Sequence, residues 1–298
     1  MSKSTKIKQN KLVTFGIYFA LIFFMLFTMI PFYVLIAQAL TPYDEFNNVM
    51  SFIAIPMNFS FTGFTHLFTY EGNIQAKWLL FENVHKIIIG YYNMFWQSIP
   101  RVIVGLFVSG LAGYAYCKMN FVGKKFMFAI QMSTMMIPLG TLTIPTLMFY
   151  EMLGWTGKVL PLIIPGLFGG TTTIFFLKQF FESIPTEIIE AARIDGLGEI
   201  GIYFKIMLPL SMPAFMSQFI LSFIGAYNAY LGPLLYLGTQ THLYPLQLVL
   251  RNQLSTPWGM TEPFTASYIL FSLIPIVVIY LFGQKFFIGG LTSGAVKG

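Results

Sequence analysis

Long apolar stretches separated by short polar ones run along most of the chain. The stretches without Lys, Arg, Asp or Glu are 12–43, 102–117, 126–150, 159–177, 206–250 and 263–284. A helix needs roughly 20 apolar residues to cross a bilayer, and the second stretch reaches that length when it extends back past Arg101. The fifth is too long for one helix, so we expect a helix near 212–237 followed by a loop. The pattern predicts an all-α integral membrane protein with six transmembrane helices and both termini on one side.

The same pattern divides the chain into segments. We expect an N-terminal segment at 1–11, a first transmembrane helix at 12–37, a long loop at 38–94, a core of membrane helices at 95–286 that includes a polar loop at 178–211, and a C-terminal tail at 287–298. The first apolar run follows a basic start but has no evident small-residue cleavage site. We therefore expect it to remain as a helix rather than to be removed as a signal peptide.

The distribution of basic residues predicts which side each loop occupies. If the N-terminus is cytoplasmic, the inner segments hold Lys3, Lys6, Lys8, Lys11, Lys118, Lys124, Lys125, Lys178, Arg193, Lys205, Lys285 and Lys297. The outer segments then hold Lys77, Lys86, Arg101, Lys158 and Arg251. Cytoplasmic loops carry an excess of Lys and Arg. Both termini and the polar loop are therefore expected in the cytoplasm, and residues 38–94 outside the cell.

Composition supports the membrane class. Hydrophobic residues make up 56% of the chain and charged residues 9%, whereas a soluble domain carries about 25% charged residues. The single cysteine, Cys117, excludes an internal disulfide framework. The net charge of +6 follows from the basic inner loops and does not indicate nucleic-acid binding.

The polar loop is unusual in this apolar chain. Eight of the 28 charged residues (17 basic and 11 acidic) lie between Lys178 and Lys205. Ser183 is a candidate N-cap, Pro185 suits a first helical turn, and Gly196 offers the left-handed backbone that ends helices. These signals predict a helix at 185–194, about 15 Å long, and a second short helix ending near Leu208-Pro209. From the residues alone, the loop is either a solvated connection against the headgroups or a docking element.

The spacing within this loop resembles a known family. Glu190-Ala191-Ala192 is followed by three residues, Gly196, nine residues, and then Ile206-Met207-Leu208-Pro209. This is similar to the EAA loop of ABC importer permeases, EAA-x3-G-x9-I-x-LP. The stretches 111–125, 135–155, 175–196, 226–237 and 287–298 also resemble the carbohydrate-uptake branch, in particular the six-span maltose-type permease subunit. The resemblance covers most of residues 90–298.

The resemblance implies a type I importer permease in a prokaryotic cell membrane that translocates a sugar or oligosaccharide. It implies that the loop contacts a separate ATPase through Glu190, Ala191, Ala192, Asp195, Gly196 and Pro209. The implied partners are a second homologous permease, a dimer of ATP-binding subunits and an extracellular solute-binding protein. ATP and Mg²⁺ would be bound by the ATPase, and this chain would carry no cofactor.

The chemistry of an enzyme is missing from the sequence. A phosphate-binding loop needs G-x4-G-K-[ST], but the Gly-Lys pairs at 123–124 and 157–158 are followed by Lys and Val. His66, His85 and His242 lack metal-ligand spacing, so no catalytic or metal-binding residue is expected. Arg101 is the one ionisable residue near a predicted span, and we expect its side chain to reach the outer headgroups.

Two groups of residues are candidates for the solute path. Thr141 and Thr143 lie between Pro138 and Pro145, which interrupt the third span and free backbone carbonyls. Tyr227, Asn228 and Tyr230 place polar groups in the fifth span. Packing is the alternative role for all of them. A self-sufficient secondary transporter or channel for a small polar solute is the alternative function, and the sequence does not identify the solute or show whether this subunit contacts it.

Overall fold

The structure, a computed structural model, describes residues 11–42, 58–69, 73–76, 81–254 and 262–292. The expected N-terminal segment and much of the 38–94 loop and of the C-terminal tail lie outside the described residues. The chain divides into two compact units, residues 1–70 with 254–271, and residues 71–253 with 272–298. Among the described residues, the regular secondary structure is helical apart from one short hairpin, so the predicted helical membrane class is confirmed.

The first unit contains helix α1, Lys11–Ala39, and helix α2, Thr62–Thr69. Nearly all side chains of α1 are exposed within the chain, as expected for an apolar helix whose partners are lipid or another subunit. His66 of α2 stacks on Phe264, with 4.1 Å between the ring centres, and its Nδ1 lies 3.1 Å from the Tyr268 hydroxyl. Burial against these rings lowers the pKa of His66.

The second unit begins with a hairpin that the sequence did not predict. Strand β1, Asn73–Ala76, pairs antiparallel with strand β2, Phe81–His85, and Asn73 lies opposite His85. Helix α3, Lys86–Lys118, follows directly and is 33 residues long. The predicted extension of the second apolar stretch past Arg101 is therefore confirmed.

The third and fourth apolar stretches are both broken. Helix α4, Lys124–Thr134, and helix α5, Thr143–Met152, are separated by a 3₁₀ turn, Leu139–Leu142. Pro138 causes the break, because it precedes the turn in an extended conformation. Helix α6, Leu160–Leu167, and helix α7, Thr171–Glu182, are separated at Gly169, whose φ is +82°.

The rest of the second unit contains the polar loop and the following helices. In chain order these are α8 Thr186–Ile194, α9 Glu199–Ile202, a π-helical turn Tyr203–Met207, α10 Leu208–Leu210, α11 Met212–Tyr227, α12 Leu231–Leu237, a 3₁₀ turn Thr241–Leu243 and α13 Leu246–Leu254. The last helix, α14 Glu262–Thr292, belongs to the first unit up to residue 271 and to the second unit from residue 272.

The prediction of one helix at 212–237 was wrong. Helix α11 ends at Tyr227 and α12 starts at Leu231. A continuous helix would need a backbone N–H at residue 233 to bond the carbonyl of residue 229, but Pro233 has none and its ring would clash there.

Several helices are suited to cross a membrane. Among the described residues, four helical segments are long and apolar enough: Lys11–Ala39, Lys86–Lys118, Leu160–Glu182 (α6 and α7 taken together) and Phe264–Gln284. A fifth is obtained if Glu199–Leu210 and Met212–Tyr227, which are bent by 80° at their junction, count as one span. The α4–α5 segment does not pass as a single long helix because of its break at Pro138.

Helix α3 is the centre of the second unit and packs against α6, α7 and α11. Two glycines permit this close packing. A Cβ at Gly105 would lie 2.2 Å from the Gly166 carbonyl oxygen, and a Cβ at Gly110 would lie 2.3 Å from the Tyr203 hydroxyl. Both distances are far below van der Waals contact, so α3 requires glycine at these positions.

Candidate functional site: the polar loop

Helix α8 starts after a sharp change of direction at Ser183, Ile184 and Pro185. Pro185 is the N-cap residue, with extended backbone (φ −55°, ψ 136°), and it forces the preceding residue away from helical geometry. The prediction that Ser183 caps this helix was wrong. Ser183 instead ends α7, where its hydroxyl donates to the Phe180 carbonyl at 2.6 Å. The N-cap position of α8 is occupied by Pro185, and the helix has no side-chain cap hydrogen bond.

Gly196 ends α8 as predicted. Its φ of +83° produces a Schellman motif, in which the Gly196 N–H donates to the Arg193 carbonyl at 3.1 Å and the Leu197 N–H donates to the Ala192 carbonyl at 3.0 Å. The side chain of Leu197 packs against the hydrophobic cluster that includes Ala192. The motif therefore fixes both the end of α8 and the direction of the chain that leaves it.

One face of α8 is buried in the protein. Ile189 and Ala192 are 0% and 4% exposed. They belong to one hydrophobic cluster with Leu106, Tyr114, Leu177, Phe181, Ile184, Ile202, Tyr203, Met207, Ala214 and Phe215. This cluster joins α8 to α3, α7 and α11, so the short helix is held by tertiary packing rather than by its own propensity.

The opposite face of α8 is exposed. Glu187, Glu190, Ala191 and Ile194 have helical spacing and are all exposed, and Ile194 is 86% exposed. We call these four residues the outer face of α8. A nearly fully exposed isoleucine beside two acids and a small residue forms a surface that another protein can cover.

The residues singled out in the sequence fall into different environments. Glu190, Ala191, Asp195 and Gly196 are exposed along α8 and at its end, whereas Ala192 faces the core. Pro209 is exposed in α10, at the far end of the loop. The two alanines therefore have separate positions, since Ala191 lies on the surface and Ala192 packs inside.

Helix α9 is tied to α8 and to α3 by one carboxylate. The Arg193 Nε donates to Glu199 Oε1 at 2.9 Å, and the Tyr114 hydroxyl donates to Glu199 Oε2 at 2.6 Å. The hydrogen bond from Tyr114, followed by that from Arg193, holds the pKa of Glu199 below its usual range. Sequence reasoning missed this role of Tyr114 and Glu199, because the two residues are 85 positions apart.

The loop ends in an irregular turn. Pro209 has no N–H for the Lys205 carbonyl, and the preceding turn, Tyr203–Met207, is π-helical. The Tyr203 hydroxyl donates to the Phe107 carbonyl at 3.1 Å. At Ser211 the chain bends by 80° into α11. The predicted second helix and its end near Leu208-Pro209 are confirmed in outline.

The candidates for the solute path lie at two helix breaks. Thr141 is exposed and its hydroxyl donates to the Pro138 carbonyl at 2.7 Å, and Thr143 is the first residue of α5. Asn228 caps α11 and is exposed, as is Tyr230. Tyr227 is 1% exposed and its hydroxyl donates to the Ser272 carbonyl, so this side chain packs inside the unit.

A groove of about 370 Å³ lies between α3, α6, α7 and α11. Its lining is small or polar apart from Val102 and Leu106: Arg101, Gly105, Ser109, Gly166, Gly169, Gly170, Thr173, Ser222, Gly225, Ala226 and Ala229. Arg101 donates to the Leu162 carbonyl at 2.9 Å and is half-buried. Its partner in the chain is therefore a carbonyl of α6, and its position relative to the outer headgroups stays a prediction.

Two buried amides of α3 hold the segment before α13. Asn93 donates to the carbonyls of His242 and Tyr244 at 2.9 and 3.0 Å, and Gln97 donates to the Leu243 carbonyl at 2.8 Å. They are 0% and 3% exposed. Sequence reasoning missed this clamp because nothing local to Asn93 or Gln97 indicates a partner about 150 residues away.

The fold and the helix–glycine–helix loop define a polytopic helical membrane protein with a short surface-exposed helix between two of its membrane helices. Residues 81–288 match the model of the binding-protein-dependent transport system inner membrane component. The chain belongs to this family. Its members are the membrane components of ABC importers, with the ATPase and the solute-binding protein as separate partners, so the chain is a multi-pass permease component and not an enzyme.

Individual relatives agree with this assignment. The chain is 31% identical over 285 residues to the arabinooligosaccharides transport system permease protein AraQ of Bacillus subtilis, covering 93% of this chain and 94% of that one. It is 30% identical over 304 residues to the polygalacturonan/rhamnogalacturonan transport system permease protein YtcP of the same species, covering 97% and 100%. A bacterial ABC transporter involved in the import of the acidic polysaccharide alginate shares the fold, with a TM-score of 0.79 and 21% identity over 95% of this chain and 100% of that one.

Proposed function

We propose that this chain is the permease subunit of an ATP-binding-cassette importer that translocates a sugar or oligosaccharide delivered by an exterior solute-binding protein. The observation that carries the proposal is the fold of the polar loop. The segment with the EAA spacing folds into α8, which has an exposed outer face and ends at Gly196. The buried face of α8 packs against three membrane helices. The relatives named for arabino-oligosaccharides and for polygalacturonan support the carbohydrate class.

The proposed topology has six spans with both termini and the polar loop in the cytoplasm. The third span is the interrupted α4–α5 segment, and the fifth is α11 with its neighbouring turns. The excess of basic residues in the inner segments, twelve of the 17, supports this orientation. The outer face of α8 would then lie on the cytoplasmic side, where an ATPase is found.

In the proposed mechanism, α8 docks on the ATPase through Glu190 and Ala191, while Asp195, Gly196 and Pro209 shape the loop and Ala192 anchors it. A second homologous permease and two copies of the ATPase complete the assembly. The ATPase binds ATP and Mg²⁺, and closure of its dimer moves the docked helix. The permease pair then alternates between two orientations around the solute path.

The solute path is proposed to run along the helix breaks. At such breaks, carbonyl and N–H groups lack helical partners and must be satisfied by water, side chains or solute. Asn228 and Tyr230 flank one break, and Thr141 and Thr143 flank the other. Tyr227 supports the first break from inside through its bond to the Ser272 carbonyl.

The test is ATP hydrolysis by the reconstituted four-subunit complex with its binding protein. The sugar panel contains arabino-oligosaccharides, oligogalacturonates and malto-oligosaccharides. We expect one class to stimulate hydrolysis, and we expect the Glu190→Ala/Gly196→Pro variant to assemble in the membrane but to lose that stimulation. Glu151→Gln is the control, since Glu151 is an exposed acid in α5, away from the polar loop.

The alternative, a self-sufficient secondary transporter or channel, makes a different prediction. The permease alone, in vesicles without ATP or ATPase, would then accumulate or equilibrate the same radiolabelled sugars. Uptake by the isolated chain would contradict the importer proposal. The absence of uptake without the ATPase, together with stimulated hydrolysis in the full complex, would support it.

A further inference from the structure

Helix α8 is connected to the end of α3 by polar contacts at both of its ends. At its start, Lys118 Nζ donates to the Ile184 carbonyl at 2.6 Å. At its end, the Glu199 carboxylate accepts hydrogen bonds from both Arg193 and Tyr114, so that the three residues form a chain of contacts. We call this chain the carboxylate bridge. Lys118 is the last residue of α3 and Tyr114 lies one turn earlier, so both connections reach the same terminal turn.

The geometry of the bridge uses the two carboxylate oxygens separately. Arg193 contacts Oε1 through Nε and through Nη2, each at 2.9 Å, and the Tyr114 hydroxyl contacts Oε2 at 2.6 Å. Hydrogen bonds to an ionised carboxylate are short and roughly twice as strong as neutral ones. The bridge is therefore more than a surface ion pair, because one of its partners belongs to a membrane helix.

Tyr114 is a fixed anchor for this contact. Its side chain is 2% exposed, and its ring packs against Tyr203 with 6.0 Å between ring centres. Arg193 is an exposed residue of α8 with an accessible side chain. Glu199 thus connects a residue of α8 to a residue of α3.

The Schellman motif brings the two ends of the bridge together. Arg193 is in the last turn of α8 and Glu199 is the first residue of α9, on the two sides of Gly196. At this turn the bridge adds a polar connection to α3 beside the apolar contacts of Ile189, Ala192 and Leu197. A hydrogen bond is directional, so the bridge restricts rotation about the axis of α8 more than apolar packing does.

We propose that Glu199 is a positioning residue that transmits displacement of α8 to the end of α3 by holding the Tyr114 hydroxyl. The proposal rests on the proposed function, since it assumes that an ATPase moves α8. Helix α3 packs on α6, α7 and α11 and lines the groove at Arg101. A displacement received at its end is therefore passed to the helices that surround that groove.

A purely structural role for the bridge predicts a different outcome. If the bridge only stabilises the loop, its loss lowers the stability or assembly of the complex, while each hydrolysed ATP still moves as much sugar. If it transmits movement, the complex assembles and hydrolyses ATP but moves less sugar per ATP. The ratio of sugar transported to ATP hydrolysed distinguishes the two roles.

The experiment compares Tyr114→Phe, Glu199→Gln and the double variant in the reconstituted complex, with the sugar of the panel that stimulates the wild type. Tyr114→Phe removes one hydroxyl and keeps the packed ring. The matched control is Glu182→Gln, which breaks the exposed Lys178–Glu182 pair within α7 without touching the bridge. Arg193→Lys and Arg193→Gln test whether the positive charge at that end is sufficient.

We expect the sugar-to-ATP ratio to fall about tenfold in Tyr114→Phe, a change within the usual range of coupling between sites, and to fall less in Glu199→Gln, whose amide oxygen remains a weaker acceptor. The double variant should fall no further than Tyr114→Phe, because that variant has already lost the contact between the hydroxyl and residue 199. The amount of ATPase that co-purifies with each variant should match the wild type, and so should the sugar-to-ATP ratio of the control, Glu182→Gln. Arg193→Lys should keep a higher sugar-to-ATP ratio than Arg193→Gln. An unchanged sugar-to-ATP ratio in Tyr114→Phe overturns the proposal. This variant decides the test even if Glu199→Gln does not assemble.

A second measurement keeps the two proposals separate. If no sugar stimulates the wild-type complex, the proposed function fails, and amide hydrogen exchange of residues 186–199 then decides on the bridge. Faster exchange in Tyr114→Phe than in Glu182→Gln supports a contact that holds α8 to α3. Equal exchange in the two variants overturns it.

Discussion

At the scale of single residues, Gly196 shows how a conformational requirement shapes the candidate site. A Cβ at this position would meet nothing within 4 Å, yet the φ is +83°. The need for glycine is therefore conformational and not a matter of space. Residues other than glycine adopt this region at a cost, and the Leu197 N–H reaches the Ala192 carbonyl only through this turn.

Gly196→Ala should therefore destabilise the loop by about 1–2 kcal/mol. Gly198→Ala is the matched control, since Gly198 is also exposed and has open space at its Cβ, but has ordinary extended backbone (φ −74°, ψ 163°). Thermal unfolding of the purified complex measures both variants. We expect a clearly lower Tm for Gly196→Ala and a smaller decrease for Gly198→Ala, because Gly198 is the N-cap residue of α9, where glycine is preferred to alanine. Equal Tm values would contradict this account of the turn.

The same residue scale shows what sequence reasoning can and cannot reach. The role of Gly196 was predictable because a glycine after a helical stretch is a local signal. Ser183 was misassigned because it ends α7, while Pro185, two residues later, occupies the N-cap position of α8. The contact between Tyr114 and Glu199 was not predictable, since it depends on the packing of α3 against the loop.

At the scale of elements, α3 organises the second unit because it is long, nearly continuous and marked by glycines where neighbours approach. Its length follows from the apolar sequence, and the extension past Arg101 was predictable for that reason. The breaks in other spans were only partly predictable. Pro138 gave a clear signal for the α4–α5 break, whereas the break between α11 and α12 was missed because Pro233 was read as part of an apolar run.

Gly105→Ala should weaken the packing of α3 on α6. The added methyl would meet the Gly166 carbonyl oxygen at 2.2 Å, and backbone cannot move aside as a side chain can. Overpacking of this kind costs typically about 1–3 kcal/mol. Gly16→Ala in α1 is the control, because it is also a helical glycine and its Cβ would meet nothing within 4 Å.

The measurement is the Tm of the purified complex together with its monodispersity in detergent. Gly105→Ala should lower both, and Gly16→Ala should leave both unchanged or slightly improved, as expected from helix propensity. If Gly105→Ala were as stable as the wild type, the close approach of α3 and α6 would not be a feature of the folded protein.

At the scale of the whole molecule, the membrane class and the family follow from properties that are spread along the chain. Long apolar stretches and the low charged fraction of 9% do not depend on where each helix begins or ends. They therefore predicted the membrane class despite errors in helix boundaries. The hairpin Asn73–Ala76 with Phe81–His85 was not predicted, because its strands are short and carry no strong alternation. The proposed orientation also depends on a property that is spread along the chain, namely the excess of basic residues in the inner segments.

The central claim is that the outer face of α8 docks on the ATPase, and site-directed crosslinking in the assembled complex tests it most directly. In a Cys117→Ser background, single cysteines replace Glu190, Ala191 and Ile194 on the outer face, with Ile189 and Ala192 as buried controls. The account predicts crosslinks to the ATPase from the three outer positions, with a yield that changes when ATP is added, and none from the two buried ones. Crosslinks independent of this helical pattern, or none from any position, would contradict it.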